Sequence, residues 1–158
     1  MANSLSVYAG SFAVPGLLAE GGVLHRLRER GWRVLICGTE LASEAAPAGS
    51  EPTIVARLSA DEYLRALADA ELVWTYFGMT LFEAWAIGRR PLLLPVPSAV
   101  HAGLTADLSR RGGLPLISPA DPEAAVRLIE SEAVPGVAPP DGQGFARLAA
   151  RLLDRAES

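Results

Sequence analysis

Short runs of apolar and β-branched residues alternate along this chain with longer segments of helical periodicity, and no other feature limits the possible folds as strongly. Runs 4–9, 33–37, 53–57, 72–76, 91–96 and 114–118 read as strands, and segments 17–30, 60–70, 80–87, 104–111 and 122–132 read as helices. A helix between successive strands is long enough to be a crossover, so the strands are expected to run parallel with helices on both faces. The pattern therefore predicts an α/β chain with a doubly wound, six-stranded parallel sheet. Its expected order is 3-2-1-4-5-6, with right-handed crossovers.

Helix boundaries are written in the same pattern. Gly31, Gly88 and Gly112 each stand between a helical segment and a strand, where a left-handed cap is wanted. Asp121-Pro122 places a capping carboxylate before a proline at the first helical position. A chain of 158 residues supports one core, burying roughly 70% of its unfolded surface. Residues 1–134 are expected to form that domain. Residues 135–158 would supply a Pro/Gly-rich linker and a last helix of the same domain, with Phe145, Leu148, Leu152 and Leu153 on its apolar face.

Composition removes several function classes. Net charge is −4, lysine is absent and the fourteen arginines are scattered, which does not make a nucleic-acid footprint. Cys37 is the lone cysteine and reads as a small buried side chain. With no basic-then-apolar leader and no run near the ~20 residues of a membrane span, a cytoplasmic location is expected. Two histidines and one cysteine spell out no metal cluster, no cofactor is implied, and no G-x-S-x-G elbow marks a nucleophile. His25, beside Arg26 and Arg28, reads as part of a solvated helix face.

In a doubly wound sheet, ligands bind beyond the carboxyl ends of the strands, so the loops 10–16, 38–40, 57–60, 77–80 and 97–103 are the places to search. Loop 10–16 leaves a strand and enters a helix, a geometry that either cradles phosphate or merely turns the chain. It matches neither the dinucleotide fingerprint nor a P-loop. Segment 70–91 says more. A strand, a turn on Gly78, Thr80-Leu81-x-Glu83 opening a helix and Gly88-x-x-Pro91 before the next strand follow one another. Thr80-x-x-Glu83 is either a capping box or a binding motif. Trp74, Tyr76, Phe82 and Trp85 flank it at spacings that for most of them fit core packing.

That segment resembles the donor-binding motif of GT-B glycosyltransferases. It is similar to the N-acetylglucosaminyltransferase family of peptidoglycan synthesis and, with closer spacing, to the UDP-sugar hydrolases of pseudaminic acid synthesis. The resemblance implies a Rossmann-like GT-B half-domain that binds a nucleotide sugar, with UDP as the expected nucleotide. It assigns Gly78, Met79 and Thr80 to the diphosphate and Glu83 to the two ribose hydroxyls. By position it adds Arg57 and Leu58 at the base and Gly10 and Ser11 at the diphosphate. His101 stands where relatives carry an acidic residue or histidine, and its near-neutral intrinsic pKa suits phosphate binding or proton transfer, or it is an ordinary surface histidine. Ala102 replaces the family's Gln and Thr105 its Asn. The resemblance names no catalytic residue here. It implies that transfer needs a separate acceptor domain or subunit, or a second copy of the chain. The alternative is a non-catalytic binding or interaction module that keeps the fold and has lost donor contacts.

Overall fold

The computed structural model describes residues 3–39, 53–131, 141 and 143. The linker and final helix expected beyond residue 134, and Glu40 of loop 38–40, lie outside them. Within them the elements are β1 (Ser4–Gly10), α1 (Val23–Glu29), β2 (Arg33–Gly38), β3 (Thr53–Val55), α2 (Ala60–Asp69), β4 (Leu72–Thr75), α3 (Met79–Ala86), β5 (Arg90–Leu93), α4 (Ala99–Gly112) and α5 (Pro122–Glu130).

All strand pairs are parallel, in the order β3-β2-β1-β4-β5. The expected order holds, but among the described residues the sheet has five strands instead of six. Segment 114–118 reaches β5 through a single bridge, Leu93 to Leu116. Leu93 N–H donates to Pro115 O (2.8 Å) and Ile117 N–H to Leu93 O (2.9 Å). Pro115 has no N–H to give, and Pro95 and Pro97 prevent β5 from continuing, so the ladder stops there.

The period-two alternation sorts strand residues onto two faces. Leu5, Val7, Val34, Ile36, Leu72, Trp74 and Leu92 pack with Leu24 and Leu27 of α1 and Val126 and Ile129 of α5. Ion pairs Arg26–Glu123 and Arg30–Glu130 tie α1 to α5 over that layer. On the other face Tyr8 and Val73 meet Leu67 of α2 and Ala84 of α3. Trp74 is fully buried, with its indole N–H given to Leu93 O at 3.2 Å.

Two helices differ from their sequence patterns for identifiable reasons. The first begins at Val23, not at residue 17, because Gly16 and Gly21 take positive φ and 15–22 closes into successive turns. The fourth begins at Ala99, not at 104. Val100 and Leu104 are exposed and only Thr105 is buried, so this helix carries no apolar stripe to reveal it. Its left-handed cap is Gly113 and not Gly112. Asp121 caps α5 as expected, accepting from Ala124 N–H at 3.0 Å.

Candidate functional site

Strand order reverses between β1 and β4, and a cleft opens there at the carboxyl ends of the strands. Its volume is about 540 Å³. A bulge at Tyr8–Gly10 re-aims the end of β1, and Thr75 holds β4 beside it by donating its buried hydroxyl to Tyr8 O at 3.1 Å. Gly10 turns at φ 59°, and a Cβ on it would sit 2.6 Å from the Tyr76 hydroxyl. Thr39, after β2, donates its hydroxyl to Gly10 O at 3.3 Å and joins the first two loops.

Of the nine residues expected to bind the donor, Gly10, Ser11, Arg57, Leu58 and Thr80 line this one cleft. Among the described residues Arg57 is the only charged side chain in the lining. Gly78 packs on the Tyr76 ring, and Met79 is 72% exposed. Glu83 stands exposed one turn into α3, joined to the lining through Tyr63. His101 is outside the lining. Its ring stacks edge-on against Tyr76 (5.3 Å) and Phe12 (5.4 Å), and its Nδ1 lies 3.0 Å from Ser98 Oγ.

Thr80-x-x-Glu83 is not a capping box. Gly78 is the N-cap of α3 and offers no side chain, while Thr80 is already inside the helix. The Thr80 hydroxyl lies 3.1 Å from Tyr63 Oη, and Tyr63 Oη also donates to Glu83 Oε2. The capping box of this chain is Ser59-x-x-Glu62, with Glu62 N–H to Ser59 Oγ at 3.3 Å and Ser59 N–H to Glu62 Oε2 at 2.8 Å. The Ser59 hydroxyl also donates to Glu62 Oε2 (2.6 Å), and this bond together with that of the Ser59 N–H holds the Glu62 carboxyl below its ordinary range.

Tyr8, Cys37 and Tyr63 line the cleft although their sequence context does not announce it. Cys37 is half-buried instead of buried, and burial pushes its thiol up, away from a reactive thiolate. Burial and the acceptor carboxylate of Glu83 push the Tyr63 phenol up to about 12. Burial raises Tyr8 as well, and its ring meets that of Tyr63 edge-to-face at 5.5 Å. Tyr76, partly buried against the core, is also part of the lining. Only the partition of β1 between faces hinted at Tyr8. Tyr63 is linked to a residue twenty positions on, which no local spacing signals. Among the described residues, no three His, Cys, Asp or Glu side chains group as a metal site.

No family model matches the chain, and no curated protein matches it. A solved structure assigned as a UDP-N-acetylglucosamine 2-epimerase from Listeria monocytogenes is similar with a TM-score of 0.59 at 20% identity. The chain has a GT-B-like Rossmann fold. The likeness covers 96% of this chain and 43% of the Listeria protein, so the chain spans less than half of that protein's length. No helix among the described residues is long and apolar enough to cross a membrane.

Proposed function

We propose that this chain is the nucleotide-sugar-binding half of a GT-B-type enzyme and takes a UDP-linked sugar. The observation that carries the reading is the character of the cleft at the strand reversal. Its described lining has one cationic side chain, Arg57, and beside it the first turn of α3 opens on Gly78, which makes no side-chain cap bond to the helix amides. Both features favour an anion such as a diphosphate. Glu83 projects from the same turn region with a carboxylate able to accept from a vicinal diol. The Listeria protein with this fold is named for a UDP-sugar, which supports the choice of nucleotide.

Glycosyl transfer is the reaction the sequence motif favours, with the acceptor supplied by another domain, a subunit or a second copy. His101 packs on Tyr76, a residue of the cleft lining, without joining the lining itself. A specific observation favours the second reading, a module that has lost sugar contacts. Ala102 is exposed in the first turn of α4 and Thr105 is only 2% exposed, so neither replaces the polar contacts of Gln and Asn. Calorimetric titration of the whole chain with UDP and with uridine tests the proposal. UDP should bind more tightly, and added salt should weaken only UDP. Glu83→Ala removes charge-assisted hydrogen bonds of about 1.5–3 kcal/mol and should weaken UDP roughly ten- to a hundredfold. Equal affinity for uridine and UDP would remove the anion site from the argument.

A further inference from the structure

Glu83 is exposed, and a free glutamate samples many rotamers, yet this one is held. The holding group comes from a different helix. Tyr63 is the fourth residue of α2, whose start is fixed by the Ser59–Glu62 capping box and whose Leu67 is buried in the core. Its backbone N–H donates to Ser59 O at 2.9 Å, and its ring is seated against Tyr8. From that fixed base the phenol reaches across to α3 and donates its single proton to Glu83 Oε2. A carboxylate can only accept, so the phenol oxygen is left to accept from the Thr80 hydroxyl at 3.1 Å.

We infer that Tyr63 is a positioning residue that sets Glu83 as the reader of a ribose 2′,3′-diol, so that the cleft prefers ribonucleotides to deoxyribonucleotides. The inference rests on the proposal that Glu83 is the ribose ligand. A carboxylate has about four lone-pair directions, and tyrosine takes one, so two ribose hydroxyls can still be accepted. Fixing the side chain beforehand removes ordering cost from the binding step. The relay through Thr80 matters because Thr80 also lines the cleft, and it ties the carboxylate to the wall that faces the nucleotide. Tyr63 touches no substrate in this scheme and acts through Glu83.

The test compares UDP, 2′-deoxy-UDP and 3′-deoxy-UDP by calorimetry on the wild-type chain, Tyr63→Phe and Glu83→Ala, with melting temperatures alongside. Tyr63→Phe deletes one oxygen and leaves the ring on Tyr8. It should weaken UDP about three- to tenfold and each monodeoxy nucleotide, which keeps only one hydroxyl on Glu83, by a smaller factor. A residue that merely supports the fold would weaken all three alike. Thr80→Val, which removes the donor to the phenol and keeps the shape, is the second variant and should show a smaller loss of the same kind. If the wild type prefers UDP, Glu83→Ala abolishes the preference and Tyr63→Phe keeps it, the positioning role is overturned and the ribose reading survives. If Glu83→Ala keeps the preference, or the wild type has none, the ribose reading falls and the positioning role with it.

Discussion

Gly10 is held by two separate constraints. Its φ of 59° is a conformation that L side chains rarely adopt, and the space where a Cβ would go is taken by the Tyr76 hydroxyl. That ring cannot simply swing aside, because Phe12 and His101 meet it edge-on at 5.1 and 5.3 Å. Gly10→Ala is therefore expected to destabilise the chain by about 1–3 kcal/mol, and Tyr76→Phe in the same chain should recover part of that loss. Urea unfolding of the two variants checks this. Equal stability of Gly10→Ala with and without Tyr76→Phe would show that backbone strain alone is at work. Gly10 was readable as a turn glycine after a strand. Its tight approach to Tyr76 joins residues far apart in the chain, and only the pairing of β1 with β4 brings them together.

At the scale of elements, helix starts differ in how they are made. The first turn of α2 is closed on itself by Ser59 and Glu62, whereas α3 opens on Gly78 with nothing on its amides from a side chain. Ser59→Ala should cost about 1 kcal/mol of stability at neutral pH, as loss of an N-cap usually does. The cost should depend on pH with a definite sign. Ser59 holds the Glu62 carboxyl lower in the folded chain than in the unfolded one. Its contribution is then complete above the ordinary glutamate range and is lost as pH falls through the lowered folded value. The difference between wild type and Ser59→Ala, read from urea melts at pH 7 and at about pH 3, should shrink at the acid end. A constant difference would show that the Ser59 hydroxyl does not act on the Glu62 carboxylate, since the backbone N–H bond to Glu62 survives Ser59→Ala and cancels in the comparison. Two motifs of the same form, Ser59-x-x-Glu62 and Thr80-x-x-Glu83, have different fates because local sequence does not set where a helix begins. For α3 that point is fixed by the turn at Gly78, two residues before Thr80.

For the whole molecule, the decisive matter is what the chain can do by itself if it is the donor-binding half proposed above. Transfer from a nucleotide sugar needs an acceptor held in line with the anomeric carbon, and usually a base, and much of the rate comes from that positioning. Among the described residues the cleft lining contains no carboxylate and no histidine. The chain by itself is expected to bind UDP-sugars without appreciable turnover, measured as UDP released from a panel of them. Rapid acceptor-dependent release by the monomer would place the catalytic groups within this chain after all. The alternation of strand and helix, the parallel sheet order, the cap at Asp121 and the cleft loops were legible in the sequence, because periodicity, capping chemistry and crossover handedness act over short stretches of chain. The sixth strand expected at 114–118 shrinks to a single bridge, because prolines at 95, 97 and 115 remove the ladder donors a full pairing would need. The start of α4 was not legible, because a helix that buries one polar side chain leaves no apolar period to read. Tertiary structure alone decided which residues meet at the cleft. Tyr8, Tyr63, Thr80 and Glu83 are brought into one chain of contacts by the packing of α2 and α3 on one face of the sheet, and a contact between helices has no signature in the order of residues along either.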